Sequence, residues 1–210
     1  MTRSLVLALA LALSVATLGC DAQDESAQHD PRAAHVHRDL PGGELAPLSL
    51  YQLEGDWTDA NGADVTLATL RGSAVFLLLF YGTCDYACPL LVHDLQKVAG
   101  LLNPAAREQV RFALVTFDPE RDSAEQLAAY ARTQGLESPR WLLLRGTSDQ
   151  VRELAATVVV RYRPTGTGQY SHTMRIVLLD HDGVPAGHWD GLERPLKPIA
   201  AAAAALVAKR

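Results

Sequence analysis

The 210-residue sequence has only three cysteines, no run of basic residues, no apolar stretch long enough for a comfortable membrane span and no internal repeat. With an odd number of cysteines, an exported chain leaves at least one of them outside intramolecular disulfides. A formal net charge of -5 argues against the basic face of a nucleic-acid-binding protein, so we expect no nucleic-acid partner. A hydrophobic content of 48% is typical of a globular core, and the length suits one domain with accessory segments.

Residues 1–20 have the pattern of an export signal. A basic residue precedes an apolar stretch over residues 5–18, which is too short for a typical membrane-spanning helix. The run Thr17-Leu18-Gly19-Cys20 resembles the lipobox of bacterial lipoproteins, in which the cysteine is lipidated after cleavage. We therefore predict a signal peptide over residues 1–20 and a lipid anchor on Cys20. An ordinary signal peptide cut nearby and an uncleaved anchor are the alternatives.

The residue after this cysteine bears on where the protein is located. In bacterial lipoproteins, an aspartate at the position of Asp21 resembles a signal for retention in the inner membrane. We therefore expect the protein at the periplasmic face of the bacterial inner membrane. Its attachment there is by the N-terminal lipid anchor or by an uncleaved N-terminal segment.

Residues 21–44 are polar and contain almost no large apolar side chains. Such a segment buries too little surface to offset the entropy lost on ordering, so we predict a flexible tether. Its histidines, His29, His35 and His37, either bind a metal loosely or are incidental residues of a polar linker. We expect the folded domain to occupy residues 45–210.

The domain alternates strand-like and helix-like segments. An unbroken apolar run over residues 74–81 predicts a strand buried on both faces, as in the centre of an α/β sheet. Further strands are predicted at 110–117 and 141–144, a closing hairpin at 173–189 and an early hairpin at Asn61-Gly62. Helices are predicted from Pro89, from the capping box at Ser123, over residues 148–156, and in the Ala-rich C-terminal segment with Pro198 near its first turn. This order predicts a single α/β domain with a mixed sheet and helices on both faces.

Two of the three cysteines lie together in the run Cys84-Asp85-Tyr86-Ala87-Cys88-Pro89, directly after the first buried strand. With Pro89 at the first helical position, Cys88 would cap the helix and Cys84 would lie in the preceding loop. The positive end of the helix dipole would then lower the pKa of both thiols and favour the thiolate, which binds metals and attacks disulfides. The alternative is an inert structural disulfide, although a bridge closing so small a loop stabilises a fold only modestly.

A histidine is the first residue type to consider as a third ligand. His172 lies at the start of a predicted sheet strand, in a loop that approaches the cysteine pair in thioredoxin-like folds. His93 is predicted to point away from the apolar stripe of its helix, and His181 to lie in solvent beside a turn. A lone histidine is more often a surface or core residue than a ligand, so the residues alone leave this assignment open.

Three motifs, in this order and spacing, resemble the SCO/SenC family of copper proteins. They are Gly82-Thr83-Cys84 with Cys88-Pro89, the turn Asp118-Pro119-Glu120-Arg121-Asp122, and Tyr170-Ser171-His172-Thr173. The resemblance covers the chain from about residue 48 to the C-terminus. It implies a thioredoxin-like fold with an extra N-terminal β-hairpin and copper ligands at Cys84, Cys88 and His172. It also implies that Asp118 supports the site or contacts a partner, unless this aspartate only forms the turn before Pro119.

By this resemblance, the protein is a copper metallochaperone that handles Cu(I) or Cu(II). It would deliver copper to the dinuclear copper site of cytochrome c oxidase or help to assemble it. Its partners would be the copper-bearing subunit of the oxidase or another copper chaperone. The alternative is a thiol-disulfide oxidoreductase in which Cys84 and Cys88 keep a partner's cysteines reduced, so the resemblance leaves open whether the protein is an enzyme.

Overall fold

The computed structural model describes residues 40–136 and 138–209 of the chain. The predicted signal peptide, the lipobox cysteine Cys20, the residue Asp21 and the three tether histidines lie outside the described residues. Within the described part of the chain, no helix is long and apolar enough to cross a membrane.

A mixed sheet forms the centre of the domain. Its seven strands within the described residues lie in the order β2-β1-β5-β4-β3-β8-β9, and β6 and β7 form a separate two-stranded sheet. The strands are β1 (Trp57–Asp59), β2 (Asp64–Val65), β3 (Ala74–Phe80), β4 (Val110–Thr116), β5 (Trp141–Arg145), β6 (Tyr162–Pro164), β7 (Tyr170–His172), β8 (Arg175–Leu179) and β9 (Pro185–Asp190).

The three central strands β3, β4 and β5 are parallel, and the outer strands are antiparallel to their neighbours. Every residue of β3 is buried, as expected for a strand covered on both faces. In the parallel register Phe80 lies beside Thr116, so β3 and β4 end at the same edge of the sheet. The loops that follow these two strands are therefore neighbours. Open α/β sheets form their binding sites at this edge.

Helices flank the sheet. They are α1 (Ala87–Leu101), α2 (Pro104–Gln109), α3 (Ala124–Gln134), α4 (Ser148–Thr157) and α5 (Leu196–Val207), with short 3-10 turns at Leu50–Gln52 and Leu67–Leu70. The predicted capping box of α3 is confirmed, because the side chains of Ser123 and Gln126 each bond the backbone N–H of the other residue. The chain then leaves α3 through Gly135 in the left-handed conformation.

The predicted fold class and the early hairpin are confirmed, since β1 and β2 pair across Asn61-Gly62. One helix start is wrong, because α1 begins at Ala87 instead of Pro89. Helix α5 begins at Leu196, with Pro198 in its first turn as predicted. A proline is tolerated anywhere in the first turn, because N–H groups there have no partner within the helix. The short helix α2 was not predicted.

A buried guanidinium joins the N-terminal end of the described chain to the sheet. Arg175 donates to both carboxylate oxygens of Asp190, at 2.6 and 2.8 Å, and to the carbonyls of Gly43 and Val158 at 2.9 and 3.2 Å. Only 1% of the Arg175 side chain is exposed, so its charge depends on these partners. Nearby, the Leu40 N–H donates to the His172 carbonyl at 3.3 Å. Residues 40–43 are thereby held beside the strand that carries His172.

We predict that Asp190→Ala markedly destabilises the domain, because it leaves the buried Arg175 cation without its counter-charge. The cost should lie near the lower end of the roughly 3–5 kcal/mol seen when a buried ion pair loses one partner, since 43% of the Asp190 side chain is exposed. Urea unfolding measures this directly. The control is Arg152→Ala, which removes an exposed ion pair to Asp149 and should change the unfolding free energy by less than about 1 kcal/mol. Equal effects of the two variants would contradict the prediction.

Candidate metal centre

The two cysteines lie in the connection between β3 and α1. Cys84 is in the loop, and Cys88 is the second residue of α1 instead of its cap. The N-cap residue Tyr86 accepts no hydrogen bond through its side chain from the first turn. The Cys88 N–H donates instead to the Cys84 sulfur at 3.3 Å. The Cys84 sulfur therefore takes the place of a capping side chain for one N–H group, and this bond fixes its position over the start of α1.

His172 is the last residue of β7, in the small sheet, and not at the start of the long strand β8 as predicted. Its Nδ1 lies 3.1 Å from the carbonyl oxygen of Thr173. Because a carbonyl oxygen only accepts, Nδ1 must carry the proton. The lone pair is then on Nε2, which lies 3.9 Å from the Cys88 sulfur. A backbone carbonyl that fixes the tautomer in this way is common behind metal-ligating histidines.

The structure brings Cys84, Cys88 and His172 together. Their three potential ligand atoms all lie within 4.8 Å of one another. Metal bonds of roughly 2.0–2.3 Å allow two ligands of one ion to be at most about 4.6 Å apart, so little contraction is needed. Two thiolates and one imidazole are a soft donor set that suits copper, particularly Cu(I). No second group of three or more metal-binding side chains is found in residues 40–136 and 138–209.

The pKa values of the two thiols are shifted in opposite directions. The pKa of Cys84 is held well below its usual range, mainly by a hydrogen bond from the Cys88 thiol and further by backbone N–H groups. Burial raises the pKa of Cys88, and the neighbouring Cys84 thiolate raises it further. The prediction that both thiols are acidified is therefore wrong for Cys88, because full burial outweighs the helix dipole there. The cluster contains one thiolate and one thiol.

Aromatic rings enclose the histidine. The Phe117 ring centroid lies 5.3 Å from that of His172, and the Tyr81 ring meets the imidazole edge-on at 6.1 Å. Tyr170 packs against both of these rings. As a result His172 is 2% exposed, Cys88 is fully buried, and Cys84, at 6%, has the largest exposed fraction of the three. An ion or a partner therefore reaches the cluster most directly at Cys84.

The other predicted residues lie outside the cluster. His93 is exposed, as its helical phase predicted. The prediction for His181 is wrong, because its Nε2 is buried and has no hydrogen-bond partner among the described residues. Asp118 is buried near the β6–β7 hairpin, which carries His172. It pairs with Arg121 and accepts a hydrogen bond from the Tyr170 hydroxyl at 3.2 Å. It is not one of the three clustered groups.

Two polar residues next to the cluster, Gln169 and Asp122, were not predicted from the sequence. Gln169 accepts from the Tyr81 hydroxyl at 2.6 Å and donates to the Thr83 carbonyl at 3.4 Å, so it links the cysteine loop to the β6–β7 hairpin. No pattern in the sequence indicates this long-range contact. Asp122 is buried against Gly82. It is the last residue of the turn that begins at Asp118, and only Asp118 was predicted to support the site.

The mixed sheet with flanking helices and the buried Cys-Cys-His cluster beyond a central strand define a thioredoxin-like protein with a candidate metal site. The SCO1/SenC family model matches residues 50–208, and the chain belongs to this family. The resemblance inferred from the three motifs is thereby confirmed.

Relatives and solved structures agree with this assignment. Over 207 residues, the chain is 27% identical to a Stutzerimonas stutzeri protein named "Putative copper-binding protein", with 94% of each chain covered. Copper-bound ScoI from Bradyrhizobium japonicum superposes with a TM-score of 0.59 at 24% identity, covering 81% of this chain and 99% of that one.

Two further structures share the fold. BsSco, a member of the Sco family of cytochrome c oxidase assembly proteins in which a disulfide switch was identified, gives a TM-score of 0.65 at 24% identity, with 80% and 99% coverage. A SCO1/SenC family lipoprotein from Bacillus anthracis gives 0.65 at 21% identity, with 78% and 99% coverage.

We predict that Cys84 reacts as a thiolate well into the acidic range, because its lowered pKa leaves it ionised where an ordinary thiol is protonated. Cys88→Ala removes the main hydrogen-bond donor, so the pKa of Cys84 should rise. At about pH 5, the thiolate fraction falls once the pKa of Cys84 exceeds the assay pH, and each further unit then lowers it about tenfold. Peptide mapping after timed iodoacetamide treatment of the reduced, metal-free protein measures the rate at Cys84. The same rate profile in both proteins would contradict the prediction.

Proposed function

We propose that the protein is a membrane-tethered copper metallochaperone, which delivers copper to the dinuclear copper site of cytochrome c oxidase or helps to assemble it. The observation that carries this proposal is the enclosure of two sulfur atoms and one imidazole nitrogen within 4.8 Å of one another. Family membership supports it, as do the copper bound to ScoI and the description of BsSco as an oxidase assembly protein.

The proposed ligands are Cys84, Cys88 and His172. An arriving cuprous ion would replace the proton on Cys88, whose thiol is the more basic of the two, so metal binding would release that proton. The Cys84 thiolate and the Nε2 lone pair of His172 are available without any proton loss. The limited opening at Cys84 would let a thiol of a partner begin ligand exchange there. We infer that the partner is the copper-bearing subunit of the oxidase or another copper chaperone.

Attachment to the membrane completes the proposal. Cys20 would carry the lipid, and residues 21–39 would separate the anchor from residues 40–43, which contact the domain. The Bacillus anthracis relative is described as a lipoprotein, which supports such an anchor. The periplasmic face of the bacterial inner membrane is the proposed location.

We predict a diacylglycerol or triacyl modification on Cys20, because a short apolar segment ending in a lipobox-like run precedes a polar segment. Mass spectrometry of the N-terminal peptide from membrane-extracted protein detects the added mass. Cys20→Ser is the control and should lack it. An intact, unmodified Cys20 in a soluble periplasmic form would refute this anchor while leaving the metal site untouched.

A thiol-disulfide oxidoreductase is the second candidate function. The observation that favours it is the pairing of an acidic thiol at Cys84 with a buried thiol at Cys88, since a thiolate attacks a disulfide and a second thiol resolves the intermediate. This chemistry does not need His172 as a ligand, whereas stable binding of Cu(II) does. His172 therefore separates the two candidates.

We predict that His172→Ala retains appreciable Cu(I) but loses stable Cu(II). Cu(I) accepts two thiolates alone, whereas Cu(II) is harder and requires a nitrogen donor among more ligands. Cys84→Ala and Cys88→Ala should each lose both oxidation states. Competition with a chelator measures Cu(I), and the absorption spectrum follows Cu(II). The control is His93→Ala, which removes an exposed histidine outside the cluster.

A His172→Ala protein whose Cu(II) spectrum matches the unmutated one would contradict the ligand assignment. In cells, the same variant distinguishes the two functions, because it keeps the dithiol of Cys84 and Cys88. Failed oxidase assembly supports copper delivery, and normal assembly supports the reductase.

A further inference from the structure

The turn that follows β4 contacts both segments that carry the three clustered side chains. This 118–122 turn consists of Asp118, Pro119, Glu120, Arg121 and Asp122. It lies beside the cysteine loop because the parallel strands β3 and β4 end at the same edge of the sheet. We propose that the 118–122 turn is a two-sided clamp. Asp122 positions the cysteine loop, and Arg121 with Asp118 positions the β6–β7 hairpin, which carries His172. The inference rests on the proposed copper site.

Asp122 forms the cysteine side of the clamp. One of its carboxylate oxygens accepts the Gly82 N–H at 2.9 Å and also the hydroxyl of Thr116. The Thr116 hydroxyl donates this second bond, because a carboxylate only accepts, and its oxygen in turn accepts the Asp118 N–H at 3.0 Å. Asp122 is 2% exposed. A buried carboxylate that accepts from both of these donors holds the backbone of the loop just before Cys84.

The approach of this carboxylate explains the glycine at position 82. A methyl group added to Gly82 would lie 2.7 Å from the second carboxylate oxygen of Asp122. Cβ atoms in proteins essentially never approach another atom this closely. The position therefore excludes any larger side chain while Asp122 keeps its place. Gly82 and Asp122 therefore fit as a pair, and their close contact fixes the distance between the cysteine loop and the end of β4.

Arg121 and Asp118 form the histidine side. The Arg121 guanidinium pairs with the Asp118 carboxylate and donates to the Gly168 carbonyl at 2.7 Å. It also lies over the Tyr170 ring, 5.5 Å from its centroid. The Tyr170 hydroxyl in turn donates to Asp118 at 3.2 Å. Because Gly168 and Tyr170 precede His172 in the β6–β7 hairpin, the turn holds this hairpin both at its loop and at the strand that ends in His172.

The two sides of the clamp are connected through the backbone of the turn. The Asp118 carbonyl accepts the N–H groups of Arg121 and Asp122, at 3.1 and 2.9 Å. A rigid turn that contacts both ligand-carrying segments sets the distance between the sulfur atoms and the imidazole. Glu120 projects from the same turn, is exposed, and takes no part in either contact. It supplies a matched control.

The test compares Asp122→Ala, Asp122→Asn, Arg121→Ala and Glu120→Ala in the reduced full-length protein in detergent. The amide oxygen of asparagine can still accept from Gly82 and Thr116, whereas alanine cannot. Asp122→Ala should lower Cu(I) affinity about 10–100-fold, the usual cost of losing a group that supports metal ligands. Asp122→Asn should recover most of that loss. Arg121→Ala should lower Cu(II) retention while changing Cu(I) affinity little, because it loosens only the imidazole.

Hydrogen–deuterium exchange of the metal-free protein gives a readout that needs no copper. Asp122→Ala should speed exchange in the peptide containing Gly82 and Cys84, and Arg121→Ala in the peptide containing Tyr170 and His172. Glu120→Ala should match the unmutated protein in every measurement. If Asp122→Ala does not fold, the Arg121→Ala variant alone provides the test, because the Arg121 side chain is partly exposed.

Three results would overturn the clamp: unchanged exchange in Asp122→Ala, an Asp122→Asn protein as impaired as the alanine variant, or an Arg121→Ala protein that behaves like Glu120→Ala. A different result would refute the proposed function. An unmutated protein that takes up no copper refutes the copper site, and the exchange measurements still decide whether the turn holds both segments.

Discussion

The arrangement of the site depends on bringing two sulfur atoms and an imidazole nitrogen together inside the protein when no metal is present. Cys88 and His172 are 84 residues apart in the chain. Their donor atoms and that of Cys84 nevertheless lie within 4.8 Å of one another. Buried polar groups are costly unless they satisfy one another. Here the Cys88 thiol stabilises the Cys84 thiolate, the Cys88 N–H donates a second bond to it, and the Thr173 carbonyl accepts a hydrogen bond from the imidazole N–H.

The sheet makes this arrangement possible. The parallel pairing of β3 and β4 brings the cysteine loop and the 118–122 turn to one edge. The antiparallel pairing of β3 with β8 brings the chain segment just before β8, which contains His172, to the same place. Aromatic packing from Tyr81, Phe117 and Tyr170 then encloses the imidazole. The two sulfur atoms and the imidazole are therefore held by different segments around the central sheet, and metal binding requires little rearrangement.

The parts of the structure that could be predicted from sequence were those with local signals. The apolar run of β3, the capping residues Ser123 and Gln126, and the Asn61-Gly62 turn each indicate structure within a few residues, and all three are confirmed. The pairing of Cys84 and Cys88 with His172 required the family resemblance, because a distant histidine leaves no local pattern. The opposite shifts in thiol pKa were not predictable, since burial of Cys88 depends on packing across the whole sheet.

The buried cluster has consequences for how copper would be held and released. Cu(I) needs both sulfur atoms as thiolates, and a disulfide between them offers none. A chain in which Cys84 and Cys88 are joined in a disulfide would therefore hold the ion far more weakly.

The most direct test of this account is a copper titration, under argon, of the protein in its dithiol and disulfide forms. The account predicts that the dithiol form takes up one copper ion per chain and that the disulfide form binds far more weakly. Equal uptake by the two forms would mean that Cys84 and Cys88 are not the ligands.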